Sequence, residues 1–334
     1  MPDQFTHGHA VVIGMGADLP VTIADAQGIA TLLRDPGRCA YPPEQVQLLT
    51  GPGAGRDDVL RALDGLATQV KNDPDATAVV YFSGHGVETP DYYFLPYGYN
   101  VADLPNTAIC SAEFTDMLRA IQAKKLLVLL DCCKAGGIGD AKDASALPFP
   151  KSPAPPGMFD ALKAGSGRVL VASSRKDEYS YTDTPYSIFT DELLKALAGY
   201  GAFERDGYAR ILDAVMWVGR KVPARTGEKQ NPIIKVSNLE DNFAVAYYSG
   251  GDKLPKPLEW DTATQPFYAT LDAAQLDSWR VQGLNYRENL MMIEERMSEY
   301  VEFTAIPLQL VKNKRQTEAR LAELEHRLGL ESGE

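Results

Sequence analysis

The chain has four histidines, His7, His9, His85 and His326, and only one of them has a neighbourhood suited to chemistry. His85 stands in Ser83-Gly84-His85-Gly86, directly after the apolar run TAVVYF at 77–82. Glycines on both sides let the backbone turn sharply and expose the ring. An imidazole at a strand end can move protons near neutral pH. A second unusual tetrad, Asp131-Cys132-Cys133-Lys134, follows a second apolar run, KLLVLL at 125–130. A thiol becomes a nucleophile when a neighbouring base or positive charge favours its thiolate. A cysteine and a histidine on adjacent strands would therefore make a nucleophile–base pair. Cys133 is the expected nucleophile; Cys132 is the alternative and reads rather as an apolar residue beside the strand. A zinc site from Cys132, Cys133 and His85 is disfavoured, because adjacent cysteines chelate poorly and the chain has no C-x-x-C pair. No metal site is expected.

These tetrads need a frame that brings two strand ends together. Over the first 250 residues, short apolar runs alternate with amphipathic segments. Strands are expected at 9–15, 46–49, 77–82, 92–95, 125–130 and 168–172. Helices are expected at 22–34, 56–71, 111–122, 187–199 and 208–221, with further strand-like pieces at 233–236 and 243–248. Fully apolar strands alternating with helices predict an α/β fold: a mostly parallel central sheet with helices on both faces. In such sheets ligands sit at the carboxyl ends of the strands, where both tetrads are expected, just past the strand ends. The pair Gly14 and Gly16 after the first strand hints at nucleotide binding, but the third glycine and the distal acid of that fingerprint are missing. Residues 134–166, rich in Gly, Ala, Ser and Pro, read as a long exposed loop.

At this point the residues resemble the caspase-like cysteine peptidases, closest to the metacaspase and bacterial orthocaspase branch. There a strand leads into Ser-Gly-His-Gly and a later strand into Asp-Ser-Cys-His-Ser-Gly. The second motif stands here as Asp131-Cys132-Cys133-Lys134-Ala135-Gly136, with Cys132 for Ser and Lys134 for His. The pair Asp25-Ala26, the run Ala172-Ser173-Ser174 and the turn Gln230-Asn231-Pro232 also match, so the likeness covers roughly residues 8–248. It implies a caspase-like α/β/α sandwich in which Cys133 is the nucleophile and His85 the catalytic histidine. The backbone N–H groups of Gly86 and Cys133 would form the oxyanion hole. It also implies that Asp131 lines the pocket for the residue before the cut, where a carboxylate favours Arg or Lys. Asp18, Ser173, Asp177 and Glu178 are further candidate substrate-binding residues, and arginine is expected over lysine because its guanidinium can bridge a carboxylate bidentately. The resemblance requires no cofactor for the chemistry and leaves Ca²⁺ open as an activator. It further implies protein substrates, a small-molecule or protein activator acting in trans, and a role in bacterial defence or cell death. Loop 134–166 fits the place where relatives carry a processing linker. A silent binding module of the same fold and an aspartate-directed protease are the rival readings.

Composition bounds the rest. The 334 residues carry 33 Lys plus Arg against 45 Asp plus Glu, a net charge of −12, which argues against nucleic-acid binding. No apolar stretch is long enough for a membrane span, and the first residues lack the basic start of a secretory signal. Four cysteines, two of them adjacent, make no disulfide scaffold, so a reducing cytoplasm is expected. Residues 1–250 are read as the peptidase domain and 251–334 as a mainly helical C-terminal region. That region opens on a linker at 249–258 and continues through helices at 272–300 and 308–329, a sensor or partner-docking module or a packed appendage. Nothing in the sequence sets the oligomeric state.

Overall fold

The computed structural model describes residues 4–16, 19–89, 91–132, 134–135, 167–175, 178–182, 185–237, 239, 241–261, 273–300 and 306–327. Side chains at 134–135, 179, 273–280 and 326–327 are outside that description. In chain order the strands are β1 (Gly8–Gly14), β2 (Val46–Thr50), β3 (Thr77–Glu88), β4 (Tyr92–Leu95), β5 (Ile109–Cys110), β6 (Lys125–Cys132), β7 (Lys134–Ala135), β8 (Arg168–Ala172), β9 (Tyr179–Ser180), β10 (Tyr208–Arg210), β11 (Ile233–Ser237) and β12 (Ala244–Tyr247). The helices are α1 (Val21–Arg34), α2 (Arg56–Lys71), α3 (Leu104–Thr107), α4 (Ser111–Ala120), α5 (Ile188–Leu197), α6 (Ile211–Thr226), α7 (Ala273–Ser298) and α8 (Leu308–Arg327).

The main sheet runs β11-β8-β6-β3-β1-β2, parallel except for β11, which is antiparallel to β8. Its strands are apolar on both faces because each face carries a core. Val12, Val79, Tyr81, Leu127 and Leu129 point to the side covered by α1, α5 and α6. Val11, Ile13, Val80, Phe82, Val128 and Leu130 point to the side covered by α2 and α4. This alternation with a period of two, with both sets buried, is the physical meaning of the continuous apolar runs. The α/β/α sandwich expected from the sequence is the fold observed.

Several local expectations need correction. Of the second tetrad, Asp131 and Cys132 close β6 and Lys134 opens β7; the first lies inside its strand rather than past it, because β3 changes partners instead of ending. It pairs with β1 as far as Ser83 and with β6 as far as Gly84, and from His85 it pairs antiparallel with β4. The helix expected at 208–221 begins three residues later, after β10, and continues to Thr226. β12 does not extend the main sheet but pairs with β10. The stretch read as a linker is a fixed strap. Arg38 grips the carbonyls of Lys256 and Pro257, while Leu258 is buried in the core and its N–H donates to Tyr200 Oη over 3.1 Å. The glycine after the first strand serves packing: a Cβ on Gly14 would lie 2.2 Å from the carbonyl oxygen of Thr22 in α1.

The C-terminal helices α7 and α8 pack on α6. Met216, Leu290 and Leu321 form a small apolar cluster, beside which buried Arg287 pairs with Asp213 and, at 3.1 Å, with Glu325. Among the described residues no helix is long and apolar enough to cross a membrane.

The close approach of β1 and α1 gives a direct test. Gly14→Ala should destabilise the protein by at least about 2 kcal/mol, because backbone rather than a flexible side chain meets the new methyl. Urea unfolding would measure it, and an unchanged midpoint would show that α1 can move away from the sheet.

Candidate active site

Register determines what shares the top of the sheet. Between β3 and β6, Ser83 pairs with Asp131 and Gly84 with Cys132. The residues immediately preceding His85 and Cys133 are therefore neighbours across the ladder. Gly84 lets Met15 cover the strand, since a Cβ there would lie 2.4 Å from Met15 Cγ. His85 is buried opposite Leu95, and Gly86 follows in the ladder opposite Phe94. Cys132 is buried in the core on the α2/α4 side, as its apolar reading predicts. Cys133, Asp18 and Asp177 lie outside the described residues.

Ser83 and Asp131 share the face covered by α1 and α5, and there they meet a second carboxylate. Asp25, on the inner face of α1, accepts from Ser83 Oγ at 3.0 Å and from the backbone N–H of Ser187 at 2.8 Å. Asp131 is ringed by hydroxyls: Ser187 Oγ at 2.5 Å, Ser180 Oγ at 3.1 Å and Thr190 Oγ1 at 3.2 Å. Ser187 is the N-cap of α5, so one residue starts the helix and donates to both acids. Burial, and next the Asp131 carboxylate, push the Asp25 carboxyl up to about 8, against the pull of the bonds from Ser187 and Ser83. Among the described residues Asp25 has no basic partner.

The remaining candidates frame this pair. Ser173 is buried at the end of β8, its N–H donating to Leu130 O and its carbonyl accepting from Gln230 Nε2 at 3.0 Å. The same Gln230 amide reaches Ser180 Oγ at 3.3 Å. Glu178 is turned to the neighbouring loop, where it accepts from the N–H and side-chain amide of Asn231 at 2.6 and 2.8 Å. The sequence presents Asp25 only as a family match and gives no reason to select Ser180, Ser187 or Thr190. The signal for Asp25 was present: it is a charged residue in the buried stripe of α1 formed by Thr22, Ala26, Ile29 and Leu33. The hydroxyls carried no such signal, since serine and threonine are common in caps and turns. No group of three or more His, Cys, Asp or Glu able to hold a metal ion occurs among the described residues.

A raised carboxyl has a stability signature. Between the ordinary value of 3.8 and about 8, Asp25 keeps its proton when folded but loses it when unfolded, so its contribution to stability falls as pH rises through that window. Asp25→Asn removes the penalty and should raise Tm at pH 9 well above its effect at pH 4. Equal shifts at both pH values would refute the raised carboxyl.

Comparison with known proteins completes the picture. The family model described as the caspase domain matches residues 7–244. No curated protein matches the chain. Among solved structures, protein GSU0716 from Geobacter sulfurreducens is 15% identical with a TM-score of 0.48, the match covering 72% of this chain and 97% of that one. The structure of drICE is 13% identical with a TM-score of 0.35, covering 73% and 97%. With the family model spanning most of the chain, and the expected sheet observed with His85 and Asp131 at its upper end, the protein belongs to the caspase domain family of cysteine peptidases.

Proposed function

We propose that the protein is a cysteine endopeptidase cleaving after basic residues, arginine over lysine. The observation that carries this reading is the buried pair Asp25 and Asp131, reached from the same strand ends as His85. Two buried acids side by side are unfavourable unless a cation joins them. A substrate guanidinium supplies that cation and can bridge the two carboxylates, which a point-like ammonium does less well. An acidic side chain would be repelled, which argues against an aspartate-directed protease.

In this reading the Cys133 thiolate attacks the scissile carbonyl and forms a tetrahedral oxyanion, held by the N–H groups of Gly86 and Cys133. His85 delivers a proton to the leaving amine as the intermediate collapses to an acyl-enzyme, which water then hydrolyses. Ser173 supports the site through Gln230, and Glu178 through the Asn231 turn, while the family resemblance keeps Asp18 and Asp177 as candidate substrate-binding residues. No cofactor takes part in these steps, and Ca²⁺ is an activator to be tested. The family resemblance supports a regulated effector of bacterial defence or cell death, acting in the cytoplasm and switched on in trans.

Fluorogenic peptides ending in Arg, Lys, Asp or Leu, offered with and without Ca²⁺, test the assignment. Cleavage after Arg is expected to exceed that after Lys and to vanish in Cys133→Ala. Cleavage after Asp would overturn the pocket assignment, and activity surviving in Cys133→Ala would overturn the nucleophile. A pH profile tests the carboxylate pair separately. Because Asp25 must lose its proton to receive a cation, KM for an Arg peptide should fall as pH rises towards about 8, by at most about tenfold per unit, and level off above it. A profile that is flat from pH 6 to 9 would exclude Asp25 from substrate binding.

A further inference from the structure

The strap over 252–261 ends on Trp260, whose indole makes two contacts to the start of α5. Its ring meets Tyr186 edge-on, with centroids 5.3 Å apart. Its Nε1–H donates to Asp191 Oδ1 at 3.0 Å. Ser187, the residue that donates to both Asp25 and Asp131, lies between those two contacts in sequence, one residue after Tyr186 and one helical turn before Asp191. Both contact points are themselves fixed. Tyr186 lies so close to α1 that a Cβ on Gly28 would be 2.6 Å from its ring. Asp191 is buried and ion-paired to Arg225 and, at 3.1 Å, to Lys195. The strap is anchored upstream by Arg38 and by buried Leu258. Trp260 itself is 39% exposed, so its ring can be replaced without opening the core.

We infer that Trp260 is a positioning residue for the specificity site: it clamps the start of α5 and so holds Ser187 where one residue serves both carboxylates. The residues named as substrate-binding rest on the function proposed above, whereas the clamp itself is a property of the fold. The strap leads on to the C-terminal helices, which grip α6 through Arg287 and Asp213. Loosening the clamp would withdraw Ser187, whose bonds to Asp25 favour the carboxylate, and so raise the pH at which Asp25 ionises. The groups facing Asp25 in that titration are Asp131 from β6, Tyr81 from β3 and Tyr186 from the turn before α5.

The test uses the full chain labelled with ¹³C at aspartate carboxyls, the Asp25 signal being identified by its loss in Asp25→Asn. In Trp260→Ala the Asp25 midpoint should rise by about one pH unit, and KM for an Arg peptide near neutral pH should rise up to about tenfold with kcat within about twofold. Trp260→Phe, which keeps a ring against Tyr186 but loses the N–H, should shift the midpoint by a smaller amount, and it decides the matter if the alanine variant does not fold. Trp217→Phe is the matched control. Trp217 also donates to a carboxylate of α5, Glu192 at 2.9 Å, but makes no contact that brackets Ser187, so its midpoint should stay at the wild-type value. An unmoved midpoint in the Trp260 variants, or an equal shift in Trp217→Phe, would overturn the clamp. If no peptide is cleaved by the wild type, the specificity reading fails, and the midpoints alone still decide whether Trp260 positions the pair.

Discussion

Two carboxylates share one buried site on the α1/α5 face of the sheet, and much of the molecule is arranged around tolerating them. Burying a charge is costly unless it is paired and hydrogen-bonded. Here the hydrogen bonds to Asp25 and Asp131 include those from four hydroxyls and one backbone N–H, drawn from β3, β9 and α5 with its cap. Hydroxyls can satisfy the lone pairs of a carboxylate without neutralising it. Asp25 is thereby hydrogen-bonded but not neutralised, and burial beside Asp131 makes it hold its proton up to about 8. Such a displaced ionisation is a common mark of a functional site.

Holding that arrangement requires parts of the chain far apart in sequence. Asp25 arrives on the first helix, Asp131 on the sixth strand and Ser187 at the cap of a later helix. The sheet register places Ser83 level with Asp131, and the change of partner at Gly84 and His85 turns β3 from a buried parallel strand into a hairpin arm. Gly14 lets α1 descend onto the sheet, and without that close approach Asp25 would not reach Ser83. Precision of this kind belongs on rigid elements rather than loops, and all four supporting hydroxyls lie on a strand or in a helix with its cap.

The C-terminal part belongs to the same mechanical unit. Arg287 is fully enclosed between α6 and α8, facing Asp213 and Glu325 and lying over the ring of Phe203. A buried cation with two acids is costly to separate, so α7 and α8 are held to the core rather than carried on a flexible tether. The strap that precedes them is equally engaged, through Arg38, Leu258 and Trp260. What the Pro- and Gly-rich composition of 249–258 presents as a linker is packed, because its backbone carbonyls meet an arginine from the turn after α1.

The sequence by itself determined the α/β class, the order of most elements and the two strands that carry the tetrads. These follow from local physics: apolar runs buried on both faces and amphipathic helical spacing, visible in segments such as 77–82, 125–130 and 56–71. It also singles out His85 by its flanking glycines, and Asp131 through the family resemblance. It could not show that β3 continues through His85, because the partner that keeps it extended, β4, is chosen by tertiary pairing. Nor could it show that Ser187 unites Asp25 with Asp131, since those three residues lie on elements whose relative placement depends on sheet register and helix packing. The tertiary structure decided which polar residues share a desolvated space, and with that which acid holds its proton. Local spacing carries no information on either, because desolvation and Coulomb interaction act through space and not along the chain.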